Sequence, residues 1–455
     1  MNAGPDVERL ISGWLLEEAP GRAPDRILEA AGRTIDRTHQ RRFVAGWRPR
    51  TMFERLAAAA VSAVLAIGAI TLGASLITAP DNAARPCPAT FDEADAVDTF
   101  APGLSQAQRA WGIAGGAPQA IRPGVIAAFS AEPAGSPESV ITIDPETGGQ
   151  CHLVRFRSTQ LIQGPGVTTL DWSPAGDALA IGVRRFEDGE ERDGQVLIWT
   201  PKRLLRIWLG DGAAPGVEWA PDGRSIAVWK AWPLSGSIDS PETSPETRVV
   251  HADGSADRTY GIQPFADGLN WSPDGARWIV IQGTTMKADQ PTSASIVDVT
   301  DGRVSPINLA IGHYATMGWI DDGRVLLREL MDPGVRYLDV PVVAPADVAI
   351  LPIPDEGSSH ELALSPDGRR VAYATPTGLA IVDVAAGSAS PPGQVEVAGA
   401  AGAVGWPSWS PDGERVIFYA GGAPWVVNAD GTGLRQLVAG NVASFDNPWQ
   451  PVPVQ

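Results

Sequence analysis

The chain has 455 residues, of which 44% are apolar and 19% charged, a balance typical of globular proteins that excludes wholesale disorder. Its formal net charge of −18 argues against a nucleic-acid partner, because phosphate binding needs a basic surface. Two cysteines are too few for a four-ligand zinc cluster.

Residues 1–55 form a predicted cytoplasmic helical tail. Two apolar helical faces are expected, over 6–19 and 23–39, with Pro24 suited to the start of the second helix. So short a tail buries little by itself, so its apolar faces are expected to contact a protein partner, the lipid surface or each other. A weakly ordered basic anchor is the alternative.

Residues 56–78 are predicted to form a transmembrane helix. These 23 residues carry no charge, and at 1.5 Å per residue a helix of this length spans about 34 Å, enough for a bilayer core of about 30 Å. Seven arginines lie in 33–55, whereas acidic residues dominate 81–98. Because positive residues stay cytoplasmic, the N-terminus is expected inside and residues 79–455 outside. A buried core helix and a cleaved signal peptide are the alternatives.

Residues 79–123 are rich in Ala, Pro and Gly and are predicted to be a linker with one short helix near 105–111. Cys87 lies in this segment and Cys151 follows it, so both cysteines fall on the expected outer side. An even pair in an oxidising compartment is compatible with one disulfide. Two unpaired buried thiols are the alternative.

A repeated motif dominates the remainder, 124–455. It reads WSPDG in its clearest form, and successive copies are 47, 52, 48, 45 and 45 residues apart, with a degenerate copy, NPWQP, 40 residues after the last. The motif positions that we single out are the leading apolar residues and the turn aspartates: Trp172, Trp219, Trp271, Trp319, Leu364, Trp409, Trp449, Asp222, Asp274, Asp367 and Asp412.

Each copy has a physical interpretation. The aromatic residue ends a short strand and packs into the core, Ser-Pro-Asp-Gly turns the chain, and an alternating run such as 415–419 forms the next strand. A further apolar segment follows before the next copy. Four short strands in each unit of 40–52 residues indicate the blade of a β-propeller.

These units resemble the WD40-like propeller repeat of the TolB family, and the resemblance covers about residues 124–455. It implies an all-β propeller. We expect such a domain to bind protein, peptide or cell-envelope ligands on one face or in the central channel. The motif residues themselves build turns and core and do not mark a binding site.

The number of blades depends on the two ends of the repeat region. Residues 124–165 supply three strands without an opening motif, and the C-terminal NPWQP supplies an opening strand without successors. We therefore predict that the last strand joins the first blade and closes a seven-bladed ring. TolB propellers have six blades, so six is the alternative.

The order of tail, single span and large outer domain is similar to that of membrane-bound anti-sigma factors. This resemblance implies a tail that holds a cytoplasmic transcription factor. The His-x3-Cys-x2-Cys run of the zinc-containing class is absent, since the tail has no Cys and its one histidine is His39.

Signs of catalysis are missing from the sequence. It has no Gly-x-Ser-x-Gly elbow, phosphate loop or dinucleotide fingerprint, and its five histidines lack metal-ligand spacing: His39, His152, His251, His313 and His360. The acidic run 186–194 is predicted to be a solvated surface loop, with a Ca²⁺ loop as the alternative. We therefore expect no enzyme, cofactor or metal.

The sequence thus predicts a single-pass protein of the cytoplasmic membrane that displays a ligand-binding propeller outside. A transmembrane regulator of anti-sigma type is the first alternative, and an extracytoplasmic hydrolase is the second.

Overall fold

The computed structural model describes much of residues 87–453. The chain divides at residue 80 into two units, and every described residue belongs to the second, Asp81–Gln455. The gaps within 87–453 are 100–103, 114–120, 131–138, 157–166, 188–189, 212–213, 232–246, 256–257, 263, 265–268, 283–291, 332–333, 344–346, 352, 354–361, 376–377, 385–403, 421–422, 439–441 and 444–447.

The described strands form seven sheets, which are the blades of a propeller. Blade 1 contains β1 (Phe91–Asp92), β3 (Ile121–Ser130), β4 (Ser139–Ile143), β5 (Gln150–Arg155), β29 (Val442–Ala443) and β30 (Trp449–Pro453). Blade 2 contains β2 (Val97–Asp98), β6 (Val167–Trp172), β7 (Leu179–Glu187), β8 (Glu190–Thr200) and β9 (Arg203–Asp211). Blade 3 contains β10 (Ala214–Trp219), β11 (Ser225–Ala231), β12 (Thr247–His251) and β13 (Arg258–Tyr260).

The remaining blades follow the same order along the chain. Blade 4 contains β14 (Leu269–Trp271), β15 (Arg277–Gln282), β16 (Ser293–Asp298) and β17 (Val304–Pro306), and blade 5 contains β18 (His313–Asp321), β19 (Arg324–Leu330), β20 (Val335–Pro341) and β21 (Ala349–Leu351). The described part of blade 6 contains β22 (Leu362–Leu364), β23 (Arg370–Thr375) and β24 (Gly378–Asp383). Blade 7 contains β25 (Val404–Trp409), β26 (Arg415–Ala420), β27 (Ala423–Asn428) and β28 (Arg435–Gln436).

The C-terminal strand closes the ring. Strand β30 pairs antiparallel with β3, with Trp449 opposite Ile126. The Gln450 side chain also donates a hydrogen bond of 2.7 Å to the carbonyl of Gly176 in blade 2. Gly176 has a φ of +69°, and a Cβ there would lie 1.8 Å from the carbonyl oxygen of Pro451, so this turn accepts no side chain. The predicted seven-bladed, all-β ring is confirmed, and the six-bladed alternative is wrong.

Apolar packing between neighbouring blades holds the ring together. Seven clusters of buried side chains each join one adjacent pair of blades, from blades 1 and 2 around to blades 7 and 1. Middle strands supply much of this core because both of their faces meet a neighbouring blade, and all five residues of β4 are buried. Each copy of the motif therefore contributes apolar residues to the junction between its own blade and a neighbouring blade.

Residues 87–99 and 104–113, here called the strap, contact blades 1 to 3, although the sequence predicts a linker here. Strands β1 and β2 add parallel to the outer edges of blades 1 and 2, at β5 and β9. A 3₁₀ turn, Glu93–Asp95, separates them, and a short helix, α1 (Gln106–Arg109), has Ser105 at its N-cap. Short extended stretches pair readily with an open sheet edge, and composition alone does not reveal such pairing.

The strap is fixed at both ends. Cys87 and Cys151 form a disulfide that ties its start to β5, with Cα atoms 5.4 Å apart. Near its other end Trp111 is 2% exposed and packs into the cluster between blades 2 and 3. Its backbone N–H donates a hydrogen bond of 2.8 Å to the carbonyl of Ala252.

Two sequence predictions concern the membrane and the acidic run. In the part of the chain that the structure describes, no helix is long and apolar enough to cross a membrane; the predicted tail, 1–55, and span, 56–78, lie outside that part. Residues 186–187 and 190–194 of the run are not a loop but the end of β7 and the start of β8, where Phe186 pairs with Glu191. β-Branched and aromatic residues before and after the acids favour strands that continue into the run.

Candidate functional site

The motif tryptophans link neighbouring blades. Each indole Nε1–H donates to the backbone carbonyl of the residue just before the motif aromatic of the preceding blade, at 3.0–3.3 Å. The pairs are Trp172 to Pro448, Trp219 to Asp171, Trp271 to Glu218, Trp319 to Asn270, Trp409 to Ala363 and Trp449 to Ser408. Leu364 of blade 6 has no such donor. These positions are structural, as the repeat implies.

The motif aspartates hold the turns. Asp222 and Asp412 accept backbone N–H bonds from residues two positions later, at 2.9 and 3.0 Å. Asp274 and Asp367 accept the same kind of bond, and these two and Asp412 also accept a bond of 2.5–2.6 Å from the serine hydroxyl of their own turn. Burial raises the pKa of Asp274 and Asp367, but the hydroxyl, the N–H and a nearby arginine together outweigh it, so both pKa values lie below 3.8.

An arginine after the turn recurs as a second link between blades. Arg277, Arg370 and Arg415 each lie over the indole ring of the next blade's motif tryptophan, 4.7–5.4 Å from its centroid. The sequence has this arginine six residues after the motif position in blades 4, 6 and 7, whereas blades 3 and 5 have Ser225 and Val325 there, and the motif prediction did not include it. Ala178 occupies the position in blade 2, and there the buried strap residue Trp111 packs edge-on against Trp219, with centroids 5.4 Å apart.

The described histidines do not form a catalytic or metal-binding group. His152 lies in β5, and its Nδ1 is 3.0 Å from the hydroxyl of Ser139, which is 1% exposed and therefore inaccessible to substrate. His251 and His313 lie at the ends of strands, whereas His39 and His360 are outside the described residues. In the described part of the chain, no three His, Cys, Asp or Glu residues are grouped to hold a metal ion.

Among the described residues, a cleft lies between blades 7 and 1, bordered by blade 6. It has a volume of about 840 Å³. It is formed by the motif turn of blade 7, the end of β27, the start of β28, the first residue of β23 and the β4–β5 turn of blade 1. The residues lining this cleft are Glu146, Arg370, Asp412, Gly413, Glu414, Arg415, Val426, Asn428, Ala429, Asp430, Gly433 and Arg435.

One carboxylate bridges two guanidinium groups in the cleft. Arg415 Nη1 donates to Glu146 Oε1 at 2.5 Å, and Arg435 Nη2 lies 3.4 Å from Glu146 Oε2. Arg435 also donates to the carbonyl of Pro145, while Arg370 donates to the carbonyl of Gly413 at 2.5 Å. Guanidinium pairs of this kind are suited to hold carboxylates.

The cleft presents both signs of charge. Asp412, Glu414 and Asp430 line it beside the arginines. Burial lowers the pKa of Arg435 from its usual value, and the Glu146 carboxylate opposes that shift. Hydrogen bonds from the hydroxyl and N–H of Thr432 lower the pKa of Asp430 below 3.8, so it stays ionised at neutral pH. A ligand with opposite charges a few ångströms apart fits this arrangement.

A second exposed feature lies on the innermost strand of blade 7. Trp406 has a φ of +48°, lies at a β-bulge in β25 and is 57% exposed. Its ring contacts Tyr419 edge-on, with centroids 6.1 Å apart. Exposed, strained aromatic residues are common at recognition sites, but this one does not line the cleft.

Comparisons with known proteins show the fold alone. No protein-family model matches the chain, and no curated protein matches it. Among solved structures, prolyl oligopeptidase B from Galerina marginata is 10% identical with a TM-score of 0.50, and the match covers 71% of this chain and 51% of that one. A prolyl endopeptidase is 14% identical with a TM-score of 0.49, covering 73% and 51%. TolB from Acinetobacter baumannii is 14% identical with a TM-score of 0.41, covering 81% and 98%. The chain spans about half the length of the two prolyl peptidases.

Proposed function

We propose that this chain is a single-pass membrane protein whose propeller binds a protein, peptide or cell-envelope ligand outside the cytoplasmic membrane. The cleft between blades 7 and 1 carries the proposal. Its volume of about 840 Å³ is within the range of about 300–1,000 Å³ seen for ligand sites, and its charges give it chemical selectivity.

Two observations support the topology. The uncharged segment 56–78 follows an arginine-rich flank, which favours a span with its N-terminus inside. The disulfide between Cys87 and Cys151 fits an oxidising compartment, because cytosolic thiols are kept reduced. Residues 57–455 carry 25 basic and 45 acidic residues, a net of −20, so the expected exported part is strongly acidic.

The described residues favour a binding function over a catalytic one. The Ser139–His152 pair is cross-strand and its serine is buried, and the cleft has charged groups but no nucleophile beside a base. We propose no enzyme activity, cofactor or metal. A hydrolase screen on the full-length protein would contradict this if any substrate class were turned over and Glu414→Arg abolished that turnover.

A regulatory role is the second candidate, favoured by the apolar faces predicted in residues 1–55. Replacing the four apolar residues on these faces with serine is expected to release a cytoplasmic partner while leaving ligand binding intact: Leu10, Trp14, Leu28 and Ile35. An unchanged set of cytoplasmic partners would leave the tail as an anchor.

Site-specific photo-crosslinking in native membranes tests the location of binding. A photoreactive amino acid at Glu414, exposed in the cleft, is compared with one at Val304, which is 43% exposed on the outer edge of blade 4. We expect adducts from position 414 that mass spectrometry assigns to a protein, peptide or envelope component, and none from position 304. Equal adducts at both positions, or none at 414, would contradict the proposal.

A further inference from the structure

We infer that the cleft recognises a free carboxylate on its ligand, which takes the place of the Glu146 side chain between Arg415 and Arg435. This inference rests on the proposed function and specifies its ligand: a peptide with a free carboxylate and a cationic group nearby. It concerns reversible binding, with no covalent step.

Glu146 already occupies the site as an internal carboxylate. It reaches across the junction from the β4–β5 turn of blade 1 to two arginines of blade 7. Its side chain is 61% exposed, so ligand and water reach it without unfolding of the blade. An ion pair with one partner largely in solvent adds little to the stability of the fold, so an external carboxylate replaces Glu146 at little cost to the folded state.

The two arginines are held in place by contacts other than Glu146. The Arg415 guanidinium lies 5.4 Å from the ring centroid of Trp449 and is 19% exposed. Arg435 donates to the backbone carbonyl of Pro145. Both guanidinium groups therefore remain positioned when the Glu146 side chain rotates away, which lowers the entropic cost of binding.

The turn that carries Glu146 keeps its shape independently of that side chain. The carboxylate of Asp144 accepts the N–H groups of Glu146 and Thr147 at 2.8 and 3.1 Å. Gly148 donates its N–H to the carbonyl of Asp144 at 2.8 Å and packs against the carbonyl of Leu437. Release of Glu146 is thus a side-chain movement and leaves the wall of the cleft intact.

The acidic side of the cleft specifies the second charge. Asp412, Glu414 and Asp430 share the cleft with the arginines. A purely anionic ligand meets these carboxylates and the net charge of −18 of the whole chain, which disfavours its approach. A cationic group beside the ligand's carboxylate relieves this repulsion, so a lysine or arginine near a peptide C-terminus is the best match.

Two probe peptides separate carboxylate recognition from general peptide binding. Acetyl-Gly-Ala-Lys-Ala-Ala with a free C-terminal carboxylate is titrated into the full-length protein in mild detergent, in parallel with the same peptide as its C-terminal amide. We expect the acid to bind about tenfold more tightly than the amide, since a charge-assisted bidentate pair contributes about 1.4 kcal/mol or more.

Three variants complete the test. Glu146→Gln removes the competing charge while keeping the side-chain shape, and we expect it to tighten binding of the acid about fivefold and leave the amide unchanged. Arg415→Lys keeps the charge but loses the planar fork, and is expected to abolish the preference for the acid. Glu414→Gln, a control in the same cleft, is expected to weaken both peptides equally because both contain the lysine.

Equal affinity for acid and amide in the wild-type protein, or no binding of either at about 5 mM, overturns the inference. The wild-type comparison decides even if a variant fails to fold, and thermal melts identify such a variant. If crosslinking at position 414 captures a partner while acid and amide bind equally, the proposed function stands and carboxylate recognition fails. If the photoreactive residue at position 414 captures nothing, the proposed function fails as well as carboxylate recognition.

Discussion

The junction between blades 2 and 3 and the junction between blades 5 and 6 are built from the same repeat but held differently. At the first, Trp219 donates its indole N–H to the Asp171 carbonyl and its backbone N–H to the Asp171 carboxylate, at 3.0 and 2.6 Å. The strap then inserts Trp111 against the same ring. Leu364 replaces the tryptophan at the second junction, where apolar packing remains. The repeat thus specifies the same fold at both junctions, but the two junctions are expected to differ in stability.

Ring closure by β30 is the contact whose loss is expected to have the largest effect on stability. Removing residues 448–455 deletes β30, the acceptor of the Trp172 indole and the partner strand of β3. We expect a loss of more than about 5 kcal/mol, which leaves the propeller unfolded or molten at 37 °C. Circular dichroism and urea unfolding measure this loss. A melting temperature within a few degrees of wild type would mean that the ring is not closed by this strand.

A paired truncation tests the difference between the two junctions. Trp219→Ala removes a buried ring and its indole hydrogen bond to the Asp171 carbonyl but keeps the backbone N–H bond, and is expected to cost about 4 kcal/mol. Leu364→Ala removes a half-buried side chain, and about 2 kcal/mol is expected. Chemical denaturation of both variants gives the two values. Equal costs would show that the indole bond adds nothing beyond apolar packing.

The strap is expected to stabilise the propeller through its disulfide to blade 1 and through Trp111, which packs between blades 2 and 3. Replacing Cys87 and Cys151 with serine opens a loop of 64 residues, which costs about 3–4 kcal/mol in the chain-entropy model. Trp111→Ala is expected to lower the free energy of unfolding by about 3 kcal/mol, because it exposes the ring of Trp219. Proteolysis within 87–113 should accelerate in both variants, and an unchanged digestion pattern would mean that the strap is held by other contacts.

The position of Leu364, which lacks the indole of the other motif copies, also offers a way to increase stability. Leu364→Trp restores a donor toward the residue before Trp319, and about 1 kcal/mol of stabilisation is expected if the ring fits. Overpacking against the neighbouring apolar cluster is the competing effect. Thermal unfolding beside Leu364→Phe, which adds a ring without the N–H, separates the hydrogen bond from the added volume.

Acid sensitivity is the smallest expected effect. The lowered pKa values of Asp274 and Asp367 mean that their contribution to stability is present above about pH 3.8 and is lost as the pH falls through the lower folded-state values. The melting temperature of the double variant Asp274→Asn with Asp367→Asn should therefore fall less between pH 5 and pH 3 than that of the wild type. Parallel curves for the two proteins would contradict this origin of acid sensitivity.

The sequence predicts the blades well because spacing, turn residues and strand alternation all point to one fold. The turn aspartates and the closing strand lie where the motif places them, and Cys87 with Cys151 forms the disulfide in the structure. The cleft was not predicted, because Glu146 and Arg435 are 289 residues apart and meet only when the ring closes. The strap was not predicted either, because its composition is rich in Ala and Pro. It pairs with the free sheet edges of blades 1 and 2, and its own sequence has no strand pattern that indicates this pairing.

Hydrogen exchange of the full-length protein, read by mass spectrometry, tests the central claim that interblade indole bonds set the strength of each junction. The innermost strands of blades 3 and 6, Ala214–Trp219 and Leu362–Leu364, provide the comparison. We predict that amides of the blade 6 strand exchange at least about tenfold faster, and that Leu364→Trp narrows the difference. Equal exchange in the two strands, or faster exchange in blade 3, would contradict the account.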